Sequence, residues 1–105
     1  MTDNIVVLVT VPSKQDAENI SKTILDKKIC ACVNIVDGVK SFFYWKEKIE
    51  NSEEFLLIIK TNKQNYQKLE DNIKKIHPYT VPEIIALPII LGSADYLEWL
   101  NDTVK

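Results

Sequence analysis

The chain has 105 residues, 46% apolar and 27% charged, with a formal net charge of −2. That is one domain's worth of sequence with one modest core, and its composition excludes a disordered chain. All thirteen basic residues are lysines; the lack of arginine's planar fork and the mildly acidic balance argue against nucleic acid as a partner.

Ile5 to Val11 (IVVLVTV) is an unbroken run rich in β-branched residues, and it predicts a strand buried on both faces. Pro12 ends it. Ser13 is a good helix N-cap, Asp16 and Glu18 suit the positive end of a helix, and Ala17, Ile20, Ile24 and Leu25 recur at helical spacing. This predicts a helix over 14–27.

Cys30 to Val36 is strand-like, Asp37-Gly38 is a turn or bulge signal, and strand character resumes from Val39 to Trp45. Lys46-Glu47-Lys48 reverses the chain, the polar stretch Glu50 to Glu54 follows, and Phe55 to Lys60 (FLLIIK) is the next apolar strand. Together these segments predict a long bent hairpin with a protruding tip; the adjacent carboxylates Glu53 and Glu54 read as solvated surface. A second helix is expected over 63–76, with Tyr66, Leu69, Ile73 and Ile76 on its apolar face and His77-Pro78 closing it. Ile84 to Leu91 predicts a last strand, and Pro88 inside it points to an edge position or a bulge. Gly92-Ser93 then leads into a short helix carrying Tyr96, Leu97, Trp99 and Leu100.

The order β-α-β-β-α-β plus a terminal helix is the split-βαβ pattern. It predicts an α+β, ferredoxin-like antiparallel sheet with two helices on one face, a C-terminal helix and a long protruding hairpin between the second and third strands, in one domain over 1–105. Two helices cannot cover both faces of so apolar a sheet, so burial by another subunit is expected, with the aromatic hairpin as its means.

No apolar stretch reaches transmembrane length, and Met1-Thr2-Asp3-Asn4 lacks the basic region of a signal peptide. No membrane association and a cytoplasmic location are therefore expected. Cys30 and Cys32 fit that expectation, since close neighbours on one strand are poorly placed for a disulfide.

The sequence resembles the CutA family, the divalent-cation-tolerance proteins. The resemblance rests on Val9-Thr10-Val11-Pro12, Ala31-Cys32-Val33-Asn34-Ile35, Tyr44-Trp45 with Ile49-Glu50, and Ile59-Lys60-Thr61. The most specific stretches are His77-Pro78-Tyr79-Thr80-Val81-Pro82-Glu83 and Tyr96-Leu97-Glu98-Trp99. It spans nearly the whole chain. It implies a ferredoxin-like fold, a tight homotrimer with hairpin strands paired between subunits, and a role in the response to copper and other divalent ions. Three positions depart from the family pattern: Glu47 where glycine is usual at the hairpin reversal, which implies a different turn; Asp37 where proline is frequent; and Val9 where some members carry a cysteine implicated in copper binding.

The resemblance maps the family's implicated metal ligands onto His77, the only histidine, and Glu83. A neutral imidazole suits Cu(II) and other divalent ions. The plainer reading makes His77 a cap of the second helix and pairs Glu83 with a lysine. Cys32 offers a soft ligand, although a small core cysteine is the commoner case. Lys60 at the end of FLLIIK is expensive to bury unpaired, which predicts a carboxylate partner, with Glu83 first in line. Lys60, Tyr79, Tyr96, Trp99, Tyr44 and Trp45 are the expected interface or pocket residues. No nucleophile elbow, phosphate loop or dinucleotide fingerprint occurs, so no catalytic residue, enzyme activity or organic cofactor is expected. The alternative is a trimeric signalling or anchoring module of the PII kind, binding a partner protein through its hairpin.

Overall fold

The structure is a computed structural model and describes residues 3–105. The elements are β1 (Asn4–Val11), α1 (Lys14–Asp26), β2 (Cys32–Trp45), β3 (Lys48–Asn62), a 3-10 turn (Lys63–Asn65), α2 (Tyr66–Ile76), β4 (Ile84–Pro88) and α3 (Ala94–Thr103). The four strands form one antiparallel sheet in the order β2-β3-β1-β4. This is the α+β arrangement that the element order predicts.

Alternation along β1 sorts the two faces. Val7, Val9 and Val11 are fully buried, and they face the core with Leu57 and Ile59 of β3. Ala17, Ile20 and Ile24 of α1 and Leu69 and Ile73 of α2 close that core from the helix side. Each of the valine, leucine and isoleucine side chains among them contributes roughly 1.5–3 kcal/mol when buried. The opposite face carries Val6 and Leu8 of β1, Leu56 and Ile58 of β3, Val36 of β2, and Ile85 and Leu87 of β4. None of these is in the buried core, and Ile85 and Leu87 are about half exposed, at 49% and 50%. So one helix-covered face is dry and the other is an open apolar surface.

Local chemistry sets the ends of α1. The Ser13 Oγ accepts the Asp16 N–H at 3.0 Å, satisfying one orphan donor of the first turn. At the other end the Lys28 N–H donates to the Leu25 carbonyl and the Ile29 N–H to the Ile24 carbonyl. That is a Schellman closure, with Lys28 in the left-handed region at φ +59° where glycine is usual. The buried Ile29 supplies its apolar contact.

The hairpin differs from its sequence reading. β2 and β3 are each continuous, and they remain paired out to Trp45 and Lys48. Cys30 and Ala31 precede β2 rather than opening it, because the Ala31 N–H bonds the Lys60 carbonyl from outside the ladder. The pairing shifts between Val36 and Val39, so that Asp37 and Gly38 form the expected bulge, with Gly38 at φ +72°. At the tip Lys46 and Glu47 have φ of +52° and +65°. Positive φ at both central residues is what a twisted two-residue hairpin demands, so Glu47 adopts the left-handed conformation a glycine would take.

Two further boundaries move. A 3-10 turn, capped by the Asn62 side chain accepting the Asn65 N–H at 3.1 Å, precedes α2. β4 stops at Pro88 rather than running to Leu91, since proline brings no N–H to the ladder. Ile90 and Leu91 beyond it are 82% and 87% exposed. β4 is an edge strand, as Pro88 implied; the other edge is β2.

Candidate functional site

Three groups of side chains stand out, at the His77 loop, at the α3 end of the open sheet face, and at the hairpin tip.

The first begins where α2 stops. The His77 N–H still bonds the Ile73 carbonyl at 2.8 Å, while ψ of 134° turns the chain out of the helix ahead of Pro78. The imidazole folds back onto the sheet and is buried. Its Nε2 lies 2.8 Å from the Thr10 carbonyl, which can only accept, so Nε2 carries the proton. Its Nδ1 then accepts the Tyr79 N–H at 3.1 Å. Both ring nitrogens are thereby committed, and His77 does more than cap the helix: it ties the loop to the end of β1. The Tyr79 ring stands 5.0 Å from the imidazole, and its hydroxyl donates to Glu54 Oε2 at 2.7 Å. Glu54 is only 7% exposed, so its reading as solvated surface is corrected. Burial, and then the neighbouring Glu54 carboxylate, push the Tyr79 phenol up to about 12.

Glu83 is exposed, just ahead of β4. Within one chain Lys60 does not pair with it. Lys60 lies on the open face opposite Cys32, and its ammonium donates to the Asn34 side-chain oxygen and approaches the Cys32 sulfur at 3.9 Å. The reason is register: Asn34 stands two residues along from Cys32 on the same face of β2, within reach of a long side chain, whereas Glu83 precedes β4 beyond the intervening β1. The Tyr96 hydroxyl also faces the Cys32 sulfur, and burial followed by that sulfur raises the phenol above its ordinary range. Trp99, one turn along α3, has its ring 5.5 Å from that of Tyr96. The structure thus brings Cys32, Lys60, Tyr96 and Trp99 together and separates them from His77, Tyr79 and Glu83. Cys30, by contrast, is in the core, where burial, and then the neighbouring Cys32, push its thiol up to about 12.

At the hairpin tip Tyr44 and Trp45 are 77% and 57% exposed, with Phe42 and Ile49 beside them. They form an exposed apolar projection, and Lys40 lies over the Phe42 ring at 5.8 Å.

Sequence reasoning missed Glu54, Asn34 and Asn4. Asn4 is 2% exposed, yet both amide atoms lack a hydrogen-bond partner among the described residues. Strand register is the signal that finds them: Asn4 shares the face of Val6 and Leu8, and Asn34 shares that of Cys32.

A resident metal ion does not fit these residues within one chain. Both His77 nitrogens are engaged, Glu83 stands outside, and an ammonium sits against the Cys32 sulfur. No group of three or more His, Cys, Asp or Glu side chains among the described residues can hold an ion.

The family model for the CutA1 divalent ion tolerance protein matches residues 5–103. The divalent-cation tolerance protein CutA of Thermus thermophilus is 45% identical over 97 residues, covering 92% of this chain and 94% of that one. Its solved structure superposes with a TM-score of 0.95, covering 97% of this chain and 99% of that one at 43% identity. A structure described as the periplasmic divalent cation tolerance protein CutA of Archaeoglobus fulgidus gives 0.94 at 42% identity, with 97% and 99% coverage. The rice CutA1 structure gives 0.95 at 44% identity, with 97% and 94% coverage. With the matched residues running from the first strand to the last helix, this chain belongs to the CutA1 divalent ion tolerance family.

Proposed function

We propose that this chain is a non-enzymatic, homotrimeric, cytosolic protein of the divalent-metal response. The observation that carries the assembly is the open face of the sheet. Val6, Leu8, Leu56, Ile58, Ile85 and Leu87 make an apolar surface that one chain leaves uncovered, and a continuous hairpin projects past it with exposed Tyr44 and Trp45. Copies of the same chain are the simplest cover for both. Copper(II) or another divalent ion is met weakly, at His77 and Glu83 and with donors from more than one copy, because His77 must release the Tyr79 N–H before Nδ1 is free.

Native mass spectrometry of the protein titrated with copper(II), beside a His77→Ala variant, tests both parts. The expected result is a trimer with weak uptake that falls in the variant. A monomer refutes the assembly, and uptake unchanged by the substitution refutes the role of His77.

The exposed hairpin tip favours a second reading, a trimeric module that anchors or signals to a partner protein. It predicts a partner whose binding is lost when Tyr44 and Trp45 are changed to serine while the trimer mass is kept.

A further inference from the structure

The open sheet face is mostly apolar, and it carries a cation and an anion at opposite ends. Lys60 lies at one end, in the row that runs from Lys60 of β3 through Val6 of β1 to Leu87 of β4. Its ammonium has three donors, and among the described residues two of them face neutral groups, the Asn34 oxygen and the Cys32 sulfur. Glu83 lies at the other end. It stands two residues before Ile85, and the two-residue period of a strand puts it on the side of Ile85 and Leu87. Among the described residues the ion pair that forms is Lys74 with Glu70, on the surface of α2, so neither Lys60 nor Glu83 has an opposite charge in its own chain.

The two cannot meet within one chain. From Leu87, in the row of Lys60, back to Glu83 is four residues along β4, roughly 13 Å, and β1 stands between the strands. Nearer carboxylates are not used either. α3 comes up beside Lys60 through Tyr96, whose hydroxyl faces the Cys32 sulfur, yet neither Asp95 nor Glu98 of α3 pairs with the lysine.

The consequence rests on the reading that copies of this chain cover one another's open faces. Covering the face takes the Lys60 ammonium out of water, and neutral acceptors offset only part of that cost; a carboxylate brought by the neighbouring copy supplies the rest. Apolar contact is non-directional and does not by itself fix how one copy sits on the next. A cation at one end and an anion at the other do fix it. A head-to-tail contact sets each Lys60 against the Glu83 of the next copy, and a closed ring leaves neither charge over. We infer that Lys60 and the partner's Glu83 form an ion pair across the contact between copies, with Asn34 and Cys32 positioning the ammonium, and that this pair sets the register of the assembly. A Glu83 held by an ammonium is a poor donor to copper(II), in keeping with weak uptake.

Subunit exchange tests the pair, read by native mass spectrometry of isotope-labelled and unlabelled protein mixed with EDTA present, so that metal plays no part. Lys60→Met and Glu83→Gln are each expected to speed exchange about a hundredfold or to abolish the trimer, because each strands a charge in the contact. The double reversal, Lys60→Glu with Glu83→Lys, is expected to restore a trimer that exchanges within about tenfold of the wild-type rate, the Asn34 amide turning to donate. Glu98→Gln is expected to leave exchange unchanged. A monomeric wild type overturns the assembly reading and this inference with it. A wild-type trimer whose exchange neither single substitution alters overturns the pairing alone. So does a double reversal no better than the single changes, or a Glu98→Gln effect equal to that of Glu83→Gln.

Discussion

Glu47→Gly is expected to stabilise the protein. Glu47 sits at φ +65° and Lys46 at φ +52°, at the reversal between Trp45 and Lys48. The left-handed conformation costs a non-glycine residue roughly 1–2 kcal/mol. Glycine removes that cost but gives the unfolded chain extra freedom, worth about 0.4–1 kcal/mol. The net gain is about 0.5–1 kcal/mol. Glu47 makes no hydrogen bond or ion pair among the described residues, so no contact is lost to set against it. Gly38→Ala is the matching control. Gly38 is at φ +72°, and a Cβ placed there meets nothing within 4 Å, so its cost is conformational alone, about 1 kcal/mol. Equilibrium urea denaturation at one fixed protein concentration reads both changes, since any self-association makes the midpoint concentration-dependent. A neutral or destabilising Glu47→Gly, or a costless Gly38→Ala, would falsify the description of these turns.

Lys28→Gly tests the same physics at a helix end: with Lys28 at φ +59° in the Schellman closure of α1, a gain of up to about 1 kcal/mol is expected in the same assay. Tyr79→Phe leaves the buried Glu54 carboxylate without its hydroxyl donor and should cost about 1–3 kcal/mol. Burial, and then the Glu54 carboxylate, push the Tyr79 phenol up to about 12 from its ordinary 10.0. A raised folded value means stability that is complete below pH 10 and is lost as pH rises toward 12, so the wild type should lose stability over that window more steeply than Tyr79→Phe. Cys30 is buried, with its thiol pushed up to about 12, and the thiolate is the form that reacts. Iodoacetamide on the native protein at pH 8 should therefore modify Cys32 and spare Cys30, and peptide mapping that finds both labelled at equal rates refutes this.

The elements of the fold were legible because each has a local cause. The β-branched run of β1, the Ser13 cap, the Asp37-Gly38 bulge and Pro88 act through their own backbone chemistry or that of near neighbours. The uncovered face was legible too, since two helices have too little surface to cover two sheet faces. The site was legible only in part. Lys60 was read as needing a partner, and within one chain strand register brings it Asn34, two residues along from the position opposite it, and leaves Glu83 beyond β1. Glu54 read as surface because Glu53 beside it is polar too, whereas only Glu54 meets the Tyr79 hydroxyl. His77 drew notice as a lone imidazole, yet both of its bonds run to backbone groups, Thr10 and Tyr79, that no side-chain pattern reveals.

The two borders of the sheet are unequal, and this bears on how the chain aggregates. β4 is five residues long and lies between Pro82 and Pro88, so it offers an incoming strand little unpaired backbone. β2 is fourteen residues long and is paired on one side only. A fibre that grows by adding sheets needs two extensible borders, one to accept the next copy and one to pass the template on. This chain has one long border, so strand addition along β2 does not run on as an endless ribbon.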